Sequence, residues 1–404
     1  MHQGKSGLTD NPGPIDFRRC LLVAGLLIGF FAGGLRHAYG ESAITAKPSQ
    51  SGIPEPPWKI EEEEKSLPKV PKFPHKEAWL NTKPLNQNIF EDKLTLLYFW
   101  DYTSVNSLRE LEALKSWYAV YRPYGFQIIL VHSPEFGVAG RKENVQRAVM
   151  RLKIPYPVYL DDDFKLWESM KVSSWPTKIL VNNKKRVVYT KVGQDHNRTF
   201  ESKIREFLRR LNPQVVLPES VLKKQTRKRK CGEIFSDIYL GYKKSTWWGA
   251  SIANRQWAAP DQMTNFKDRG ERVDRGFFIN GLWANRGEYL EHARDTNPLQ
   301  DYLGIIYGSQ EVYAMLNRTE GAGVARVYVT RDDKPVPRDF RGLDLHEDAE
   351  GGTYFLLQEP RLYYLISNED QAIPHELKLW SRSRGVAVSS FSFSNRCMAD
   401  FEHL

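Results

Sequence analysis

The chain has 404 residues, 41% of them hydrophobic and 26% charged, which excludes a disordered chain and suits two or three globular domains. The net charge is +9, and the charges are unevenly distributed along the chain, with an acidic run at residues 61–64 and a basic run at residues 226–230. Charge runs of this kind are usually solvated linkers, so we predict no nucleic-acid partner. The three cysteines, Cys20, Cys231 and Cys397, have neither C-x-x-C nor metal-ligand spacing, so we predict no metal and no cofactor.

Residues 1–40 have the pattern of an export signal. Arg18 and Arg19 precede an apolar run at residues 20–35, which is shorter than the roughly 20 residues of a membrane-spanning helix. Small residues at positions 38–40 favour a cleaved signal peptide. The alternative is an uncleaved anchor with both arginines on the cytoplasmic side. Under either interpretation we expect the rest of the chain to be exported to the bacterial periplasm or cell envelope. In the second, it stays attached to the inner membrane.

Residues 41–75 are rich in Pro, Glu, Lys and Ser, which predicts an extended linker. Residues 76–212 then alternate between strand and helix patterns. Strands are predicted at Leu94–Trp100, Phe126–His132, 156–160, Thr177–Val181 and 185–190, and helices at Val105–Tyr121, 141–153, 163–170 and Asn197–Leu211. Helices between strands imply parallel pairing, and the hairpin across residues 182–183 adds antiparallel strands. The expected fold is a mixed sheet flanked by helices.

Residues 213–230 predict a second, basic linker, and the pattern changes after it. Short alternating runs recur at residues 326–330, 353–358, 361–367, 376–381 and 386–394, separated by turn residues. Strands at this spacing predict an all-β antiparallel sandwich, jelly-roll-like, over residues 231–404.

The stretch Y-F-W-D-Y-T-S-V-N-S at residues 98–107 joins a predicted strand to a predicted helix. In thiol–disulfide proteins a C-x-x-C pair occupies this place, because free N–H groups and the helix dipole stabilise a thiolate. Here Ser104 and Ser107 have that spacing. Serine cannot form a disulfide, and residues 21–230 contain no cysteine, so we expect this domain to be redox-inert and assign no catalytic residue.

The surrounding motifs resemble those of the TlpA-like, redoxin-type branch of the thioredoxin superfamily. The family pattern F-W-T-Y-x-C-x-N-C-x-R corresponds to residues 99–109, V-H-S-P-E-F recurs at residues 131–136, and W-P recurs at Trp175-Pro176. Residues 235–242 are similar to the S-x-E-x-Y-L-G-Y segment that opens the C-terminal module of DipZ-type proteins. That resemblance implies a thioredoxin fold followed by a carbohydrate-binding-like β-sandwich, with both C-x-x-C cysteines replaced by serine.

The resemblance also implies two binding regions. Pro176 corresponds to the cis-proline loop, which binds an extended polypeptide in redox-active relatives. Trp100, Tyr102 and Trp175 are then expected either to flank such a groove or to close the core. In the second module, Trp247 and Trp248 are the candidates to stack on sugar rings, although aromatic residues equally build sandwich cores.

Cys231 opens the second module and Cys397 nearly closes it, and in an oxidising compartment we expect them to form a structural disulfide. A redox-active pair and two free thiols are the alternatives. Three functions remain open: an exported, non-catalytic protein that binds a protein or glycan partner, a thiol–disulfide oxidoreductase that uses Cys231 and Cys397 or partner thiols, and a structural envelope protein. We expect the first.

Overall fold

The computed structural model describes residues 65–194, 196–222, 235–245, 251–254, 256, 259–319, 323–367 and 373–395, and these residues form two separate β-sheets. All of the described residues belong to one compact unit. The predicted N-terminal signal or anchor lies outside the described residues, and the two predicted linkers lie partly outside them. None of the helices in the described ranges is long and apolar enough to cross a membrane.

The first sheet has six strands: β1 (Trp79–Leu80), β2 (Leu94–Trp100), β3 (Phe126–His132), β4 (Val158–Leu160), β5 (Thr177–Val181) and β6 (Val187–Val192). Their order across the sheet is β1-β4-β3-β2-β5-β6. Strands β4, β3 and β2 are parallel to one another, β1 and β5 pair antiparallel with β4 and β2, and β6 pairs antiparallel with β5. This mixed sheet is the expected thioredoxin fold.

Helices cover both faces of the first sheet: α1 (Val105–Tyr121), α2 (Lys142–Arg151), α3 (Lys165–Ser169) and α4 (Asn197–Leu211). Every residue of β2 is buried, which explains its unbroken apolar run. Tyr98 and Leu96 face a core shared with α1, α2 and α4, whereas Leu97 and Phe99 face the core that contains α3.

The predicted bounds of β2, β3, β5, α1 and α4 are confirmed residue for residue. The predicted helices at 141–153 and 163–170 are shorter in the structure. Lys153 and Phe164 have positive φ angles of 51° and 60°, so one helix ends before Lys153 and the other begins after Phe164. The strand predicted at residues 185–190 lies instead at Val187–Val192 (β6), and the β5–β6 hairpin contains a register shift.

The second sheet has fourteen strands in the described part of the chain. They are β7 (Ile238–Tyr239), β8 (Ser251–Ile252), β9 (Met263–Phe266), β10 (Gly276–Asn285), β11 (Leu290–His292), β12 (Tyr302–Tyr307), β13 (Glu311–Arg318), β14 (Ala325–Arg331), β15 (Lys334–Pro335), β16 (His346–Glu347), β17 (Thr353–Leu357), β18 (Arg361–Ile366), β19 (His375–Ser381) and β20 (Val386–Ser394). The main path is β16-β17-β14-β19-β12-β10-β11-β20-β13-β18. All pairings are antiparallel except β8 with β10, so the predicted all-β antiparallel architecture is confirmed.

Strand β10 joins the two halves of this sheet. Its first half pairs with β12, and its second half pairs with β9 and β11. The change occurs at Gly281, whose φ of +99° is unfavourable for other residues. A Cβ there would lie 2.0 Å from the carboxyl carbon of Asp301. Both halves contribute side chains to one core, in which Ile279 and Leu379 come from one half and Leu316 and Phe391 from the other.

Candidate functional site

The N-terminus of α1 holds the two serines that stand in the C-x-x-C positions. Ser104 is the N-cap residue, and its Oγ accepts a hydrogen bond from the Ser107 N–H at 3.4 Å. Ser107 is fully buried, and its Oγ accepts from the Asp101 N–H at 3.3 Å. Serine favours the N-cap because its short side chain reaches a free N–H of the first turn. Both hydroxyls therefore serve local structure.

Asp101, directly after β2, is the polar centre of this turn. Its carboxylate accepts hydrogen bonds from Thr103 Oγ1 at 2.6 Å and from the Glu135 N–H at 2.6 Å. His132 Nε2 lies 3.2 Å from Asp101 Oδ1. Burial alone would raise the pKa of Asp101, but its bonds to His132, Thr103 and the Glu135 N–H together hold that pKa below its usual value.

His132 is an anchoring residue of this loop. The imidazole is buried, stacks on Tyr102 with ring centroids 5.5 Å apart, and contacts Trp100 edge-on. Its side-chain hydrogen bond in the described part of the chain joins it to Asp101 and not to a serine hydroxyl. The geometry does not form a nucleophile–base pair, which needs a hydrogen bond between serine and histidine.

The structure confirms that the Trp175–Pro176 peptide is cis. Pro176 is buried, and Trp175 is partly exposed, with its Nε1 donating to the Ser133 carbonyl at 2.8 Å. Trp100 and Tyr102 are 0% exposed, so they close the core. Of the aromatic residues expected near the groove, only Trp175 has surface that a partner could contact.

A buried ion pair beside the serine turn was not predicted. Lys178 of β5 bonds Glu110 of α1 and also donates to Asn197 Oδ1 at 2.8 Å. Lys178 and Glu110 are 0% and 2% exposed. The sequence signals were a lysine within the apolar run of β5 and a glutamate on the inward face of α1.

The second sheet packs directly on the serine turn. Val105, between the two serines, is only 3% exposed. A mixed apolar cluster covers it, formed by Val105 and Phe136 from the first sheet's domain and by Tyr239, Tyr313, Met315 and Leu362 from the second. The C-terminal module therefore covers Val105 in this turn, whereas Ser104, at the first C-x-x-C position, is partly exposed.

Polar contacts surround this apolar cluster. Arg109 of α1 forms an ion pair with Glu311 of β13, with 2.6 Å between Nη2 and Oε2. Glu311 also accepts from the hydroxyls of Tyr313 and Tyr364. On another side, Arg151 of α2 pairs with Glu359 at 3.0 Å.

Glu135 is the acidic side chain at the centre of this contact. Tyr239 donates its hydroxyl to Glu135 Oε1 at 2.5 Å, and Lys244 Nζ donates to the Glu135 carbonyl at 2.8 Å. Burial raises the pKa of Glu135 to about 8, and the neighbouring Asp101 and Asp237 add to that effect. Burial likewise raises the pKa of Asp237 to about 6.

A cleft of about 550 Å³ opens beside Glu135. The loops after β3 and β4 supply one wall, including Phe164, and Lys244 and Glu288 of the second module supply the other. Glu288 is fixed there by the Gly137 N–H, which donates to Oε2 at 2.7 Å. Clefts at the carboxyl ends of parallel strands are common ligand sites in open α/β sheets.

The remaining predicted site residues, Trp247, Trp248, Cys231 and Cys397, lie outside the described residues. The predicted disulfide and the predicted sugar-stacking pair therefore stay predictions. Among the described residues, no group of three or more His, Cys, Asp or Glu side chains is placed to hold a metal ion.

Residues 236–394 match the family model described as Thioredoxin like C-terminal domain. The chain is similar to Protein DipZ of Mycobacterium tuberculosis, with 26% identity over 268 residues, which cover 66% of this chain and 36% of that protein. It is also similar to SUPPRESSOR OF QUENCHING 1 of Arabidopsis thaliana, with 32% identity over 133 residues, covering 33% of this chain and 13% of that protein. The chain thus spans little more than a third of DipZ.

Two solved structures align with part of the chain. A putative thioredoxin from Neisseria meningitidis is 21% identical, with a TM-score of 0.32, and the match covers 36% of this chain and 93% of that one. A putative thiol:disulfide interchange protein DsbE from Chlorobium tepidum is 18% identical, with a TM-score of 0.31, covering 35% of this chain and 96% of that one.

Proposed function

We propose that this protein is an exported relative of the thioredoxin-like thiol–disulfide oxidoreductases that has lost redox activity and acts by binding a protein or glycan partner in the cell envelope. The observation that carries the proposal is the N-terminus of α1. Ser104 and Ser107 replace the reactive cysteines, their hydroxyls are used in local hydrogen bonds, and Val105 between them is covered by the second module. Thiol–disulfide exchange needs an attacking thiolate and a resolving thiol, and this turn supplies neither.

The partly exposed Trp175 and the nearby cleft support binding of a polypeptide beside the serine turn. Trp175 packs against Trp167 with ring centroids 4.5 Å apart and contacts Phe164, which lines the cleft. An extended segment could therefore run from the cis-proline loop into the cleft and contact both modules.

The test is insulin reduction by dithiothreitol with the full chain, together with a count of free thiols under denaturing conditions. We expect no acceleration of insulin reduction and no free thiol at Cys231 or Cys397. The matched control is the Ser104→Cys/Ser107→Cys variant, which supplies the missing thiols at unchanged positions. Activity of the unaltered protein that disappears in Cys397→Ser would refute the proposal and favour the oxidoreductase alternative.

A further inference from the structure

Three buried polar side chains, Lys178, Glu110 and Asn197, meet between β5, α1 and α4. Lys178 lies on the same face of β5 as Leu180, which packs in the core shared with α1 and α4. Glu110 lies on the inward face of α1, and Asn197 is the first residue of α4. The three residues are 0%, 2% and 3% exposed, so their polar groups face one another away from solvent.

This cluster holds an amine against the carbonyl group of an amide. Lys178 Nζ lies 2.8 Å from Asn197 Oδ1, so the amide carbon is only one C=O bond farther away. Glu110 contacts both nitrogens: its Oε2 bonds Lys178 Nζ, and its Oε1 accepts from Asn197 Nδ2 at 3.4 Å. One carboxyl oxygen therefore faces a nitrogen that can attack the amide, and the other faces the nitrogen that would leave.

The apolar surroundings of the cluster favour its neutral, reactive form. Lys178 Nζ lies 5.5 Å from the ring centroid of Phe200, and that ring stacks on Trp117. Transfer of one proton from the ammonium group to the Glu110 carboxylate leaves an amine and a carboxylic acid, and neither then carries a charge that is costly to bury. A neutral amine is a nucleophile. Because packed elements hold all three side chains, the reaction needs little further ordering.

A covalent bond here would constrain a domain that has no disulfide available to it. Residues 21–230 contain no cysteine. A bond between the side chains of Lys178 and Asn197, which are 19 positions apart, would close a loop and fix the start of α4 to β5. Closing a loop stabilises a fold by restricting the unfolded chain. Unlike a disulfide, an amide bond does this independently of the redox state of the compartment.

We propose that an intramolecular isopeptide bond joins Lys178 to Asn197 and that Glu110 catalyses its formation. The neutral amine attacks Asn197 Cγ, and a new C–N bond forms. Glu110 takes a proton from the attacking nitrogen and gives a proton to the leaving nitrogen, so the bond from Cγ to Nδ2 breaks and ammonia departs. Glu110 ends the step as the carboxylic acid that it was at the start, and no oxidant or cofactor is needed. The ion pair described above is the state from which the reaction begins.

The test is mass spectrometry of the full chain after reduction and denaturation. We expect an intact mass lower than the sequence mass by one molecule of ammonia. Trypsin does not cleave after an acylated lysine, so residues 172–184 should stay uncut at Lys178 and be joined to residues 192–198 in one branched peptide. A cyclic imide at an asparagine also loses ammonia, but it leaves Lys178 cleavable and produces no branched peptide.

Four variants test the assigned roles. Asn197→Ala should lack the branched peptide, and Glu110→Gln should be isolated largely without it, because general acid–base catalysis contributes about a hundredfold or more to the rate. Asn197→Asp keeps the carbon that is attacked, so its branched peptide should form with loss of water in place of ammonia. The control is Lys191→Met, which removes the partly exposed lysine opposite Lys178 on β6 and should retain the cross-link.

An unaltered chain that is folded by circular dichroism, keeps its full sequence mass and is cleaved at Lys178 would overturn the inference. This result is read from the unaltered protein, so a variant that fails to fold does not affect it. A branched peptide that persists in Asn197→Ala would place the cross-link elsewhere, and one that forms equally in Glu110→Gln would overturn the role of Glu110. The inference does not depend on the proposed function, which the insulin-reduction assay tests separately.

Discussion

Replacement of Glu135 by glutamine should change how stability depends on pH. The folded protein holds the pKa of Glu135 at about 8, whereas a glutamate in the unfolded chain titrates near 4.5. Between these values the folded state binds the proton that the unfolded state has released. The free energy of unfolding therefore falls as pH rises from about 4.5 to about 8 and is constant with respect to this group above that range.

The size of the effect follows from the same two values. Each pKa unit corresponds to about 1.4 kcal/mol, so the full difference amounts to at most about 5 kcal/mol. Because the Glu135 side chain keeps some solvent exposure, water screens part of this cost, and we expect about 2 kcal/mol. Glutamine cannot ionise but can still accept the Tyr239 hydrogen bond. Glu135→Gln should match the unaltered protein at pH 5 and be more stable by about 2 kcal/mol at pH 8.5.

Urea denaturation at pH 5, 7 and 8.5 measures this difference, with Glu143→Gln on the exposed side of α2 as the matched control. Asp237 contributes a pH dependence of the same sign up to about pH 6, so Glu135→Gln should retain that lower part of the slope. Equal slopes for Glu135→Gln and the unaltered protein between pH 6 and 8.5 would refute the assignment of the buried proton to Glu135.

Three further tests concern the packing around the serine turn and the bend in β10. Arg109→Met and Glu311→Gln should each destabilise the protein by about 3 kcal/mol, because each removes the oppositely charged partner of a largely buried group. In a double-mutant cycle of urea denaturation we expect a coupling energy near 2 kcal/mol, and a value below about 0.5 kcal/mol would contradict the contact. Lys178→Met should lower the free energy of unfolding by about 3–5 kcal/mol, because it leaves the Glu110 charge buried without its ion pair. The double variant Lys178→Met/Glu110→Leu should regain much of that stability. A double variant no more stable than Lys178→Met would show that loss of the ion pair is not the cause. Gly281→Ala should lower stability by about 3 kcal/mol or more, judged against Gly323→Ala, whose added Cβ meets no atom within 4 Å.

The sequence was most informative where one rule determined the structure. Strand β2 is buried on both faces, so its bounds followed from an apolar run, and those of α1 followed from an amphipathic pattern after a tight turn; its serine N-cap was found only in the structure. The strands at residues 353–357 and 386–394 were recognised from alternating patterns and turn residues. The cis-proline loop was recognised from a motif, because the sequence pattern of residues 175–176 alone does not determine the isomer.

Strand β13 was missed because of the contact between the two modules. Val312, Ala314 and Leu316 face the core of the second sheet, while Tyr313 and Met315 face the cluster that covers the serine turn. Burial on both faces removes the alternation on which strand prediction depends. The same strand supplies Glu311, so the ion pair with Arg109 was equally invisible in the sequence. Pairs separated by 202 residues leave no local pattern.

The packing of β13 covers part of the serine turn. A reactive C-x-x-C pair must be reachable by a second protein, so its neighbourhood needs open surface. Here the residue between the serines is buried by Tyr313, Met315 and Leu362, and the nearest charged groups are satisfied by partners in the other module. Ser104 itself stays partly exposed, and its hydroxyl caps α1 without a thiol. The cleft that Phe164 lines, next to the partly exposed Trp175, is an open surface close to this turn.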